Sequence, residues 1–177
     1  MIETLISSKT RIKLLLKFFL NGNTTAYLRH LEGEFGESSN AIRVELNKFE
    51  EAGMLTSEVK GNKKFFKANQ EHPLYEEIHS IVRKYVGLDR IVEHVIKYLG
   101  NLERVYLTGA FAEGRDSEVV DIVLLGNVDQ TYLIELIGKV ETVIGRRIRY
   151  LVYSSGPMAE EELARNHSVR LLLWSKP

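Results

Sequence analysis

Apolar residues recur at helical spacing through the first fifty residues and then change to the alternation of strands. Ile12, Leu15, Leu16 and Phe19 share one face of a helix that Ser7 or Ser8 caps and Asn21-Gly22-Asn23 ends. Thr24 or Thr25 caps a second helix, with Leu28, Leu31 and Phe35 inside and Gly36 closing it. A third helix starts near Ser38-Ser39 and stops at Gly53, with Ile42, Leu46 and Phe49 inward. Its outer face carries Asn40, Arg43 and Asn47 at i, i+3, i+7. Two strands follow, Leu55 to Lys60 and Lys63 to Ala68, joined by Gly61-Asn62, where glycine in first place suits a type II′ hairpin. In that register Lys60 faces Lys63 and Val59 faces Lys64. Leu55, Val59, Phe66 and Ala68 then share one side, and Lys60, Lys63, Phe65 and Lys67 the other.

Beyond the hairpin, Leu74, Ile78, Ile81, Tyr85, Leu88, Val92, Val95 and Leu99 step by alternating fours and threes, a heptad seam. Pro73 suits its first turn and Gly100-Asn101 its end, while Gly87 divides the run into two helices. The back of the chain alternates strand and helix, the pattern of an α/β layered domain. Arg104 to Thr108 and Val119 to Leu125 read as buried strands. Asp129 to Ile144 reads as an amphipathic helix with Leu133, Leu136, Ile137, Val140 and Ile144 inside, and Arg147 to Tyr153 as a strand. A short acidic helix, Met158 to Arg165, and a last strand, Val169 to Trp174, complete it. The expected fold is therefore α+β / α/β in three parts: residues 1–70, a helical connector over 71–100, and an α/β domain with a small mixed sheet over 101–177.

Composition narrows the function little. Hydrophobic residues make up 44% and charged residues 27%, ordinary values for a globular protein. The absence of cysteine removes disulfides, thiolate metal sites and cysteine nucleophiles. No apolar run nears the ~20 residues of a membrane helix, and the start lacks a signal-peptide pattern, so a cytoplasmic protein is expected. The zero net charge conceals an asymmetry. Residues 1–69 hold 11 Lys+Arg against 8 Asp+Glu, and residues 101–177 hold 9 against 11. A nucleic-acid partner therefore belongs at the front. His30, His72, His79, His94 and His167 are scattered, and no metal site is expected.

A third helix with a polar stripe, followed by a basic hairpin, is the layout of a winged helix-turn-helix. The element order and the Ala52-Gly53-Met54-Leu55 entry into the hairpin make the first seventy residues resemble the ArsR-like transcription regulators. The resemblance implies double-stranded DNA as partner. Arg43 is the leading base contact, through two hydrogen bonds to guanine, and Asn40 and Asn47 suit adenine. Ser39, Lys48 and Asn62 join the interface. Lys60, Lys63 and Lys64 are expected on phosphates. Metal sensing in that family uses cysteines and does not carry over. The seam from residue 74 to 99 is read as a homodimer interface.

Between Val105 and Leu125 the chain reads strand, Thr108-Gly109-Ala110, helix, then a second strand with Asp121-Ile122-Val123. This is similar to the signature of minimal nucleotidyltransferases, in which Gly-Ser opens a helix and Asp-x-Asp follows. The resemblance implies a remnant nucleotide site at Thr108, Gly109, Ala110 and Asp121. The serine position is Ala110 and the second aspartate position is Val123. The third carboxylate position falls on Arg149 or Tyr150. Two-metal phosphoryl transfer needs carboxylates. The expectation is thus no catalytic residues, no bound metal, no cofactor beyond a residual affinity for nucleotide or Mg²⁺, and no enzymatic activity. The chain reads as a dimeric DNA-binding transcription regulator whose nucleotidyltransferase-like domain is a pseudoenzyme scaffold or sensor. The alternatives are an active nucleotidyltransferase using Mg²⁺ and a nucleoside triphosphate, and a protein-interaction adaptor.

Overall fold

The computed structural model describes residues 2–95, 98–99, 101–156 and 158–176. It is a mixed α and β structure of two compact units. One holds the chain up to Tyr85 together with Gly114–Asp116. The other holds Val86–Glu113 and the chain from Ser117 onward. The division after Tyr85 falls inside the stretch expected to be a connector.

The first unit begins with a short helix α1 (Ile2–Leu5) and α2 (Lys9–Leu15). Ser8 caps α2, its hydroxyl accepting the Arg11 N–H at 3.2 Å. The helix then widens into a π-helical turn over Leu16–Leu20. That widening shifts the 3.6-residue period, so all five residues of the turn lie inside, and Leu14 joins them. Lys17 is buried with them and is neutralised by Glu34 at 2.7 Å.

Residues Thr25–Tyr27 form a strand, β1, where a helix cap was expected. The strand pairs antiparallel with the hairpin, Thr25 opposite Lys67 and Tyr27 opposite Phe65. Tyr27 sets its ring edge-on to Phe65 at 5.2 Å. Helix α3 (Leu28–Phe35) therefore starts later than predicted. Helix α4 (Ser39–Glu51) is capped by Ser38, and β2 (Leu55–Lys60) and β3 (Lys63–Ala68) form the hairpin. Its register is the predicted one, Lys60 opposite Lys63 and Val59 opposite Lys64. Gly61 has φ +62°, and among the described residues positive φ occurs at glycine alone, which fits a II′ turn and not a I′ turn at Gly61-Asn62. The sheet order is β1-β3-β2.

Helix α5 (Tyr75–Val86) completes this unit up to Tyr85. Tyr75, Val82 and Val86 are buried, whereas Leu74 and Ile81 of the predicted seam are half exposed, at 54% and 51%. Gly87, at φ +92°, ends the helix. A Cβ there would lie 2.8 Å from Ile144 Cγ2, so only glycine fits. The expected stop at Gly100 lies outside the described residues.

The second unit carries α6 (Leu88–His94), β4 (Leu102–Thr108), α7 (Gly109–Ala112), β5 (Val119–Gly126), α8 (Gln130–Ile144), β6 (Arg147–Tyr153), α9 (Ala159–Asn166) and β7 (Leu171–Ser175). The sheet order is β6-β5-β4-β7. Strands β5 and β6 run parallel across the α8 crossover, and the remaining pairs are antiparallel. Val120, Ile122, Val123 and Leu124 are buried, so β5 is covered on both faces. Leu133, Leu136, Ile137 and Val140 form the inner face of α8, and Leu163 of α9 packs with Tyr106 and Val123.

The first unit also has a pH signature. Arg11 Nε donates to Glu45 at 2.8 Å, and Glu45 is buried. Burial pushes this carboxyl up, but Arg11 and Lys48 outweigh it and leave its pKa low. Lys13 lowers Glu37 and Lys64 lowers Glu50. A carboxyl depressed in the fold stabilises it above the unfolded pKa and loses that contribution as pH falls. Melting temperature should therefore drop between about pH 6 and about pH 3, and Glu45→Gln should flatten that drop. Thermal melts across this range check it; an acid limb identical in the variant would count against the Glu45 contribution.

Candidate functional site

Helix α4 presents Asn40, Arg43 and Asn47 to solvent as one stripe, since Ile42, Glu45, Leu46 and Phe49 occupy the inner face. A cleft of about 500 Å³ lies between α4 and the hairpin. Leu46 and Phe66 line it, together with Ser39, Arg43, Asn47, Asn62, Lys63 and Lys64. The predicted residues Asn40, Lys48 and Lys60 do not line this cleft.

The basic residues differ in availability. Lys60 pairs with Glu58 at 2.9 Å, Lys64 with Glu50 at 2.6 Å, and Lys48 with Glu45 at 3.5 Å. Ser39 Oγ donates to Glu32. Lys63 rests its ammonium over the Tyr27 ring at 4.5 Å. Arg29, which sequence patterning passed over, lines the same cleft with Tyr27. Its role was hidden because β1 was not foreseen, and it is β1 that brings Tyr27 beside the hairpin.

In the second unit, Thr108 and Asp121 are directly opposite each other on β4 and β5. Gly109 follows at φ +64° and abuts the Asp121 carboxylate, so that a Cβ would collide with it. Ala110 is the next residue of α7 and has no hydroxyl to offer. Arg149 is opposite Asp121 on the other side, and its Nε donates to the Asp121 carboxylate. Of the two candidates for the third-acid position, the strand register therefore selects Arg149. The bond raises the already high pKa of its guanidinium. Val123 is 1% exposed in a cluster with Tyr106, Leu163 and Tyr153.

These residues do not fit a divalent ion. Asp121 is engaged by a guanidinium, Val123 offers no oxygen, and Arg149 brings a positive charge to the place. Among the described residues, no group of three or more His, Asp or Glu side chains is placed to hold a metal ion, and Asp116 and Glu118 are exposed. No helix of the described residues is long and apolar enough to cross a membrane.

No family model matches the chain, and no curated protein does. Solved structures match over about half of it. AF1382 from Archaeoglobus fulgidus is 18% identical, over 48% of this chain and 96% of that one, with a TM-score of 0.39. The tri-AMPylated Shewanella oneidensis HEPN toxin in complex with MNT antitoxin is 16% identical, over 50% and 70%, with a TM-score of 0.38. A candidate nucleotidyltransferase from Sulfolobus solfataricus is 22% identical, over 52% and 82%, with a TM-score of 0.34. The chain thus has nucleotidyltransferase-like neighbours over about half its length. This corrects the expectation that the chain is not an enzyme. That expectation came from Val123 and the arginine at 149, whereas the Sulfolobus solfataricus neighbour is itself named a nucleotidyltransferase.

Proposed function

We propose that the first unit binds duplex DNA as a winged helix-turn-helix and that the chain acts as a DNA-binding regulator. One observation carries the reading: Arg43 and Asn47 of α4 and Asn62 and Lys63 of the hairpin converge on one cleft, with Arg29 beside them. The helix order and the β1-β3-β2 sheet support it. Helix α4 enters the major groove, where Arg43 reads guanine, and Lys63 meets a backbone phosphate. Asn40, Lys48 and Lys60 lie outside the cleft, and Lys48, Lys60 and Lys64 have carboxylate neighbours that weaken a phosphate contact. Fluorescence anisotropy with labelled duplex tests the reading. Lys63→Ala should reduce the slope of log K against log salt by about 0.9, with a smaller change for Lys60→Ala. Equal slopes for the two variants would remove Lys63 from the interface.

The exposed Ile81 on α5, with exposed Leu74 just ahead of the helix, supports a homodimer. A two-fold pair sets two α4 helices on half-sites about one DNA turn apart. Ile81→Glu should halve the mass measured by light scattering; a monomeric wild-type chain would end the dimer reading.

A second reading is nucleotidyl transfer by the second unit. It is favoured by the convergence of the Gly109 turn and Asp121 on one spot. Incubation with labelled nucleoside triphosphate and Mg²⁺ tests it. Transfer that Asp121→Ala abolishes supports it, and no transfer at all rejects it.

A further inference from the structure

Duplex binding accounts for the rim of the cleft between α4 and the hairpin but not for its floor. Leu46 and Phe66 are 1% and 4% exposed and form that floor, with half-buried Leu28 and Tyr27 beside them. A duplex offers phosphates, sugars and the polar edges of bases, and beyond a thymine methyl little of it matches an apolar floor. At about 500 Å³ the cleft has the size of a small-molecule site, roughly 300–1,000 Å³. Exposed Arg29, Arg43 and Lys63 line its rim, and none of them has an ion-pair partner among the described residues. Lys64 is held by Glu50, and the one acid among the lining residues, Glu32, accepts from Ser39. An apolar floor under uncompensated positive charge suits a ligand with an apolar body and an anionic head.

We infer that this cleft takes an aromatic carboxylate and that its occupant displaces DNA. The rings lie on Leu46 and Phe66 beside Tyr27, which removes the apolar surface of both partners from water. The carboxylate takes the Arg43 fork in two parallel hydrogen bonds, and Arg29 and Lys63 add positive charge. Arg43 then has no fork left for guanine, so ligand and duplex exclude each other. The displacement rests on the duplex-binding reading, and the ligand site itself does not.

Calorimetric titration of the full chain with naphthoate, and with the uncharged naphthalenemethanol, tests the site. Naphthoate should bind saturably, and the alcohol about tenfold or more weakly. Arg43→Ala should bring naphthoate down to the level of the alcohol and leave the alcohol unchanged. Asn47→Phe puts a ring into the cleft from an exposed position, and should abolish binding of both while leaving the circular dichroism spectrum unchanged. Displacement is read by anisotropy of labelled duplex recovered by selection from a random library. At about ten times its own Kd, naphthoate should raise the duplex Kd about elevenfold, and the rise should continue without a plateau. No saturable naphthoate binding, equal binding of the alcohol, or an Asn47→Phe chain that binds like wild type would each overturn the inference. A plateau, or a duplex Kd that does not move, would overturn the displacement. A chain that binds duplex but no naphthoate loses only this inference, and one that binds naphthoate but no duplex keeps the site and loses the regulator reading.

Discussion

Val123→Asp should destabilise the second unit by at least about 3 kcal/mol. The substitution restores the second acid of an Asp-x-Asp pair, yet position 123 is 1% exposed and packs with Tyr106, Leu163 and Tyr153. A carboxylate placed there is desolvated without a hydrogen-bonding partner. It must either ionise at great cost, stay protonated, or push α9 off the sheet. Trp174 is the only tryptophan and pairs with Val105 in the same sheet. Urea denaturation followed by its fluorescence therefore reports on this unit alone. A Val123→Asp protein with an unshifted midpoint would show that α9 does not cover this face as described. Valine at this position therefore has a structural cause: β5 exchanges an acid for a contact with Leu163.

Arg43→Ala should cost about 1–3 kcal/mol of specific duplex binding and relax the preference at one base pair. Arg43 is exposed at the middle of α4 and lines the cleft. Truncation removes the guanidinium fork without disturbing Ile42 or Leu46, both fully buried beside it. Binding to random duplex should change far less, because that rests on phosphates. Anisotropy titrations of preferred and random duplex with both proteins separate the two effects. A loss of the same size on both sequences would make Arg43 a phosphate contact only.

Much of the first unit was legible in the chain because its signals are local. Ser8 and Ser38 cap as their chemistry dictates, and the Gly61-Asn62 turn fixes a six-residue register. What escaped was non-local. Strand β1 exists because Tyr27 packs on Phe65, thirty-eight positions later in the chain, and a Thr-Thr pair before Leu28 reads as a cap until that contact is known. The π-helical turn at Leu16–Leu20 was hidden for a related reason: Lys17 reads as its solvent face until the contact with Glu34, seventeen residues later, is known. The seam from residue 74 onward divides between two environments. Leu74 and Ile81 of the heptad stay half exposed, while Tyr75, Val82 and Val86, outside the heptad steps, are buried within the chain.

At the second unit's site the motif spacing located Gly109 and Asp121, and the register then put Arg149 against the aspartate. The ion pair itself depends on parallel pairing of β5 with β6, which no local pattern encodes. The same holds for the β2–β3 hairpin. The sequence pattern counted its lysines as equivalent, whereas Glu50 and Glu58 take two of them and leave Lys63 on Tyr27.

The most direct test is selection of bound sequences from a random duplex library, followed by titration of the recovered duplex at low and physiological salt. The account predicts a recurrent motif that the full chain binds more tightly than random duplex, with an affinity that falls as salt rises. A chain that retains no duplex even at low salt would contradict it.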